Sequence, residues 1–376
     1  MSAIRFLQVH TLHSYTAALL NRDDSGLAKR LPYGGILRTR ISSQCLKRHW
    51  RMADNDPHSL LSISGSELAF RSRELVTKKV IEPLKERYPL EVVQALEPEF
   101  QKAVYGDKAD QGKQSRQTLL FGAPEIRWLA AEAERLAAAS DNAKGAKDAV
   151  VAWAKEFKNN IKALREETAL PGGLASALFG RMVTSDPAAN IDAPVHVAHA
   201  FTVHAAETES DYFTAMDDLK EDADDGGADT IQETELTSGL FYGYVVIDLP
   251  GLIANCGGNK ELSARIVHNL VYLIAEVSPG AKLGSTAPYD RASFMLLEAG
   301  DRQPRSLAGA FRKPVKPDLD QAVEALSKHL GRLDEAYKTG EARRYLTLSD
   351  EIVPGLEKGS LPELAAWAAE RVGEAI

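Results

Sequence analysis

The sequence predicts an α+β fold, and three observations predict it. Short β-branched and aromatic runs occur near the start, in the middle and again late in the chain. Between the first and second of these, Pro57 to Asn190 is dominated by helical periodicity. With insertions removed, the order of elements is βαββαβ, the ferredoxin-like arrangement that RNA-recognition modules share with many unrelated proteins. The 376 residues are 44% hydrophobic and 26% charged, enough apolar material for one large core or two smaller ones, which excludes disorder as the main state.

Taken in order, Ile4 to His13 reads as a strand, because Phe6, Leu7, Val9 and Leu12 stand among β-tolerant neighbours with no helix cap. Asn21-Arg22-Asp23-Asp24 and Tyr33-Gly34-Gly35 punctuate a polar loop, and Ile36 to Ile41 is a short extended stretch. Ser42 or Ser43 then serves as N-cap of a helix whose buried stripe is Leu46, Trp50 and Ala53. The helical block includes Glu125 to Ala139 and Ala146 to Glu167, and Pro171-Gly172-Gly173 and Asp186-Pro187 break its far end. Val195 to Ala206 and Leu240 to Leu249 read as strands, and the stretch between them is too polar and too long for an ordinary hairpin turn, so a protruding loop is expected. Leu262 to Val277 is helical, Ala292 to Leu297 is a strand, and Val315 to Tyr337 and Leu361 to Val372 are helices expected to pack on the core. The resulting division is 1–56 (core, first part), 57–190 (helical insertion), 191–206 (core strand), 207–238 (protruding loop or hairpin) and 239–376 (core, second part, with C-terminal helices).

Composition narrows the function. The most apolar stretch, Phe241 to Cys256, is broken by Gly243, Asp248, Pro250 and Gly251, so no membrane span is expected. The first ten residues lack a long apolar run and a cleavage site, and a cytoplasmic protein is expected. Two cysteines, Cys45 and Cys256, are too few for a thiolate zinc site or a disulfide framework. The formal net charge is −8, but Glu207 to Glu235 holds twelve acids and one lysine, a local −11 that leaves the rest at +3. Ser25 to Ala53 carries Lys29, Arg30, Arg38, Arg40, Lys47, Arg48 and Arg51 with no acid, an excess that suits a phosphate backbone.

Several residues could carry chemistry. On the first helix Gln44, Lys47, Arg48 and Arg51 fall at i, i+3, i+4 and i+7, which makes one face cationic; helix-start amides and the Ser42 and Ser43 hydroxyls add an anion-binding tendency. The same pattern suits a merely solvated face. Asp23 and Asp24 could hold a divalent metal or act as a general base, or could simply form a turn with an Arg22 ion pair. His196, His199 and His204 make a poor metal set, since His199 falls on the opposite side of a strand from the other two. Tyr212, Phe213, Met216 and Ile231 within the acidic segment are either wedges inserted between bases or a local apolar cluster. No Walker, Rossmann, GxSxG or HExxH motif occurs, so catalysis lacks its common machinery.

Asn21-Arg22-Asp23-Asp24, Arg40-Ile41-Ser42-Ser43-Gln44-Cys45-Leu46-Lys47-Arg48, Gly180-Arg181-Met182-Val183-Thr184-Ser185, Ala198-His199-Ala200, Asp211 to Leu219, Ser238 to Tyr242 and Pro279-Gly280-Ala281-Lys282 together resemble the CasC-type backbone subunit of the type I-E CRISPR Cascade complex. The resemblance covers nearly the whole chain, weakens after about residue 300, and departs from the family at Cys45, at Tyr212 and in the acidic Glu221 to Asp229. It implies an RNA-recognition-like palm, helical fingers and a thumb, with copies of the chain stacked along a guide RNA (crRNA) among other Cascade subunits. By position, Arg22, Ser42, Gln44, Lys47, Arg48, Arg51 and Lys282 would hold guide phosphates. Met182, Phe213, Met216 and Ile231 would be the wedges that displace bases at regular intervals, the remainder pairing with target DNA. The resemblance implies no catalytic residue, no metal and no cofactor. The alternative is a metal-dependent endoribonuclease of a type III-like effector using Asp23 or Asp24, and a small-molecule enzyme on the same core would need a pocket that the sequence does not reveal.

Overall fold

The structure, a computed structural model, describes residues 4–67, 69–167, 170, 172–183, 186–215 and 230–375. It is mixed α+β. Along the chain run β1 (Phe6–Ala18), β2 (Arg30–Tyr33), β3 (Ile36–Ile41), α1 (Ser43–Arg51), β4 (Ala69–Ser72), α2 (Leu90–Tyr105), β5 (Leu119–Gly122), α3 (Ala123–Ala138), α4 (Ala143–Glu167) and α5 (Gly173–Phe179). Then come β6 (Val195–Val197), β7 (Ala200–Thr202), β8 (Thr208–Ala215), β9 (Thr230–Asp248), α6 (Leu249–Asn255), α7 (Lys260–Glu276) and α8 (Leu283–Thr286). The chain finishes with β10 (Phe294–Gly300), α9 (Leu319–Tyr337), β11 (Ala342–Thr347), β12 (Glu357–Lys358) and α10 (Leu361–Gly373).

Two compact units result: residues 1–59, 196–247 and 264–376 form the first, and residues 60–195 and 248–263 the second. The first is built on a large sheet of order β12-β11-β10-β1-β9-β7-β3-β2, with β6 and β8 also pairing with β9. β1 lies between β10 and β9, and its first seven residues are all buried, as a central strand covered on both faces requires. On one face Leu12, Phe201, Leu240, Tyr242, Phe294 and Leu296 pack with Leu326 and Leu330 of α9; on the other, Tyr15, Ile41, Ala200 and Phe241 meet Leu46 of α1.

The second unit has its own core, in which Phe100 of α2 stacks on Trp153 of α4 at 4.2 Å and Leu129 of α3 is fully buried. It is not purely helical as expected, because β4 and β5 pair within it. Glu125 of α3, fully buried, binds Arg165 at 2.7 Å and Arg181 at 2.6 Å. Arg181 also donates to the Ala189 carbonyl. Gly180 precedes it at φ +74, and a Cβ there would press on the Ile191 carbonyl, so the turn needs glycine.

Of the loop or hairpin expected after Ala206, the described residues form the hairpin: β8 pairs antiparallel with the start of β9 from Thr208↔Thr237 to Ala215↔Thr230. Three further expectations are corrected. Val195 to Ala206 is not one strand: it breaks after β6, and β7 sits between β3 and β9. The first helix stops at Arg51, so of the predicted stripe Trp50 is buried, Leu46 half-buried and Ala53 beyond the helix. The segment joining the last two long helices contributes β11 to the main sheet beside β10.

Both faces of the sheet hold buried histidines. His10 donates from Nε2 to Glu298 Oε1 (3.0 Å), which leaves Nδ1 to accept from Tyr242 Oη (2.8 Å). His204 accepts from Leu240 N at Nε2 (3.1 Å), which leaves Nδ1 to donate to the Ala205 carbonyl. Burial holds both below the usual 6.5. A base whose folded value is depressed binds fewer protons folded than unfolded, so stability falls as pH drops below about 6.5, by up to about 1.4 kcal/mol per pH unit for each histidine. Urea unfolding midpoints at pH 7.5 and 5.5 test this: the midpoint at pH 5.5 is expected to be lower, and an equal or higher one refutes it.

Candidate nucleic-acid interface

The cationic helix predicted from sequence is α1, and its first turn is closed by the chain itself. Ser42 is the N-cap with extended backbone, and its Oγ accepts from Cys45 N at 3.3 Å. Ser42 N donates to Asn21 Oδ1 at 2.9 Å, and Ser43 N donates to His199 Nδ1 at 3.4 Å. Both serines are buried. The anion-binding capacity expected of these amides and hydroxyls is thus largely taken up inside the protein, and any grip on phosphate falls to side chains.

Those side chains lie where the periodicity put them. Gln44 and Arg48 are exposed and Lys47 and Arg51 half-buried, on the side of α1 away from the buried Trp50. The flanking residue His49 donates from Nδ1 to the Cys45 carbonyl (2.8 Å) and accepts at Nε2 from Gly280 N (3.4 Å). That contact fixes the 279–282 loop against α1, with Ala281 N donating to the Leu19 carbonyl at 2.9 Å. Lys282, at the end of this loop, reaches the hairpin: its Nζ donates to Thr234 Oγ1 on β9 and lies 5.2 Å from the Phe213 ring centroid on β8. Two residues predicted separately, Lys282 and Phe213, are therefore brought together. Phe213 and Tyr212 remain exposed.

Glu235 anchors the base of the hairpin, pairing with Arg30 and accepting from Ala28 N at 2.7 Å. Ala17 N donates to Ser238 Oγ, and Thr237 Oγ1 donates to the Ala18 carbonyl, both at 2.9 Å. Arg22 is exposed in the preceding loop, where its backbone bridges to Ala28. Asp23 accepts from Ser25 N and Leu27 N at Oδ1 (2.9 and 3.0 Å), the geometry of a turn-forming aspartate. Asp24 is exposed.

Met182 belongs to the second unit. It follows the buried Arg181, is 67% exposed, and its carbonyl accepts from Gln117. Ile231 lies on β9 opposite Thr214 in the ladder. Met216 lies outside the described residues, as do Thr184, Ser185 and residues 217–229. His196, His199 and His204 do not gather, and among the described residues no three His, Cys, Asp or Glu side chains converge as a metal site would need.

Not every cation in the basic segment faces outward. Arg38 is fully buried, donating to the carbonyls of Tyr33, Thr202, His204 and Phe311 at 2.8 to 3.3 Å, so it ties β3 to β7 and to the 308–311 turn. The tie is tightened where the β2–β3 turn meets Arg312, since a Cβ on Gly34 would collide with the Arg312 carbonyl. Counting Arg38 as a phosphate-facing charge is therefore corrected, and Arg30 is committed to Glu235. A sequence count of charge carries no sign of either burial.

A family model described as CT1975-like protein matches residues 7–367. Among solved structures, a chain of a "CRISPR RNA-guided surveillance complex, pre-nicking" superposes with a TM-score of 0.80 at 24% identity, covering 98% of this chain and 100% of that one. A chain of a second "CRISPR RNA-guided surveillance complex" gives a TM-score of 0.61 at 21% identity, with coverages of 97% and 98%. At these identities the likeness is one of fold. No curated protein matches.

Proposed function

The chain belongs to the CT1975-like protein family, and from that premise we propose that it is a guide-RNA-binding backbone subunit of a CRISPR surveillance complex, of the type I-E Cascade kind. The observation that carries the reading is that α1, the 279–282 loop and the β8–β9 hairpin meet in one unit, bringing a cationic helix face beside an exposed aromatic arm. In this reading β10, β1, β9 and β3, with α1 and α7, form a ferredoxin-like palm; the second unit forms the fingers and the hairpin the thumb. Arg22, Ser42, Gln44, Lys47, Arg48, Arg51 and Lys282 line the guide path, Ser42 chiefly by capping α1. Phe213, with Met182, Met216 and Ile231, displaces guide bases at intervals, and the others pair with target DNA, so the protein needs a backbone grip and no base code. Copies of the chain follow one another along the guide, together with other Cascade subunits, in the cytoplasm. The subunit cleaves nothing; Asp23 serves its turn.

The test is purification from a host that also expresses the neighbouring genes and the CRISPR array, with the 260/280 nm absorbance ratio read beside the mass. A large particle carrying one discrete RNA is expected, whereas a nucleic-acid-free monomer or small oligomer refutes the reading. Incubated with complementary RNA and magnesium, that particle leaves the RNA intact. Fragments that vanish in Asp23→Ala assign the chain instead to RNA cleavage.

Phe213→Ala tests the wedge. It removes an aromatic face worth about 1–3 kcal/mol against a base while leaving every charge in place. The variant particle is expected to assemble with its normal RNA content but to bind target DNA roughly tenfold more weakly. Equal loss of assembly and target binding reduces Phe213 to a packing role.

A further inference from the structure

We propose that Arg40 is a phosphate-binding residue of this interface and that His199 positions it, an assignment that rests on the guide-RNA reading. Arg40 stands near the end of β3, opposite Phe201 of β7, two residues before the cap of α1. Its backbone N–H donates to the Lys29 carbonyl at 2.8 Å, and its Nε donates to the Arg30 carbonyl at 3.2 Å. Nη1 lies 3.3 Å from His199 Nδ1. Arg40 is half-buried, yet among the described residues no carboxylate pairs with it and Nη2 makes no hydrogen bond. Arg38, on the same strand, shows the contrast: every one of its nitrogens is placed on a carbonyl. A guanidinium fixed at two nitrogens with no counter-ion leaves its third open to solvent and to an anion, and its planar fork suits phosphate oxygens.

His199 supplies the orientation. Its Nδ1 receives Ser43 N–H at 3.4 Å as well as facing Arg40 Nη1, and both neighbours can only donate. Nδ1 must therefore be the unprotonated nitrogen, with the ring proton on Nε2 and the imidazole neutral. Desolvation and the positive charges of Arg40 and Lys29 hold the ring below its usual pKa, in the same sense. One lone pair thus ties the guanidinium to the first turn of α1, the turn that begins the Gln44, Lys47, Arg48 and Arg51 face. Held by Nε and Nη1, Arg40 has lost its rotamer freedom before any ligand arrives, which favours binding.

The test titrates the purified chain with a fluorescently labelled single-stranded RNA over a series of KCl concentrations, for wild type, Arg40→Ala, His199→Ala, His199→Asn, Arg40→Ala with His199→Ala, and Lys47→Ala with Arg51→Ala. Arg40→Ala is expected to reduce the slope of log affinity against log salt by about 0.7, the value of one single-strand phosphate contact. His199→Ala is expected to weaken binding less than Arg40→Ala does. His199→Asn, whose Oδ1 offers an acceptor in place of Nδ1, restores wild-type affinity, and the Arg40–His199 double variant binds no more weakly than Arg40→Ala. A wild-type slope in Arg40→Ala overturns the phosphate contact. Failure of His199→Asn to rescue, or effects that multiply in the double variant, overturns the positioning role. If Lys47→Ala with Arg51→Ala also keeps the wild-type slope, the guide-RNA reading itself has failed. Unfolding midpoints are recorded throughout, and should His199→Ala not fold, Arg40→Ala and His199→Asn decide the matter.

Discussion

Replacing Lys47 and Arg51 together by alanine is expected to lower the affinity for single-stranded RNA roughly a hundredfold at low salt, taking about 1.5 kcal/mol for each charge-assisted contact. It should also reduce the salt slope by about 1.4, two contacts at ~0.7 each. Both side chains lie on the half-exposed side of α1, one turn apart, while Trp50 holds the other side in the core. The helix should survive the change, because its cap at Ser42 and its His49 contact to the 279–282 loop are untouched. Anisotropy titrations from 50 to 400 mM KCl read both quantities. Weaker binding with an unchanged slope would mean that the helix had shifted without losing phosphate contacts, and wild-type binding would remove α1 from the interface.

Glu298→Gln is the most destabilising single change expected, at about 3–5 kcal/mol. The carboxylate is fully buried and accepts both prongs of the Arg305 fork (2.8 and 2.7 Å) and Arg343 Nε (2.9 Å), beside His10. Arg343 turns its other two nitrogens to Asp334 of α9 (2.6 and 2.7 Å). The register places Gln8, Glu298 and Arg343 side by side on β1, β10 and β11, so one acid links three strands, the 301–307 loop and α9. Burial pushes the carboxyl pKa up, but hydrogen bonds from His10 and Arg305 outweigh it and hold it well below the usual range. A depressed acid stabilises the fold above its unfolded value near 4.5 and loses that contribution as pH falls through the folded one. The difference between wild type and Glu298→Gln in urea unfolding should therefore be full at pH 7 and narrow below about pH 4.5. A loss under about 1 kcal/mol at pH 7 would show that the network is close to neutral against its amide replacement.

Arg343 and Arg344 also explain why β11 was not legible. Two adjacent arginines beside Tyr345 read as a polar connection, and besides the nearby Glu341 it is the distant Glu298, Asp334 and Glu357 that hold them and make the segment a strand. The β8–β9 ladder was hidden for a related reason: its acids, read as a line, repel, whereas in the fold Glu235 is held by Arg30 and the Ala28 amide and Thr234 receives Lys282. In the second unit, Glu125 meets Arg165 and Arg181 from 40 and 56 residues away, so the turn that presents Met182 was visible as Gly-Arg-Met without its anchor.

What the sequence determined by itself was local. The start of α1, its cap and its cationic face follow from i, i+3 and i+4 spacing and a serine before it, and the positions of β3, α3, α4, α7, α9 and α10 follow from periodicity within a few residues. Tertiary structure alone decided which charges remain available. Arg38 and Arg40 are two residues apart and indistinguishable in sequence, yet one is spent on carbonyls from β7 and the 308–311 turn while the other keeps an open nitrogen beside His199. The physical reason is that helix and cap signals act over one turn, whereas desolvation and pairing of a charge depend on groups brought from more than a hundred and fifty residues away.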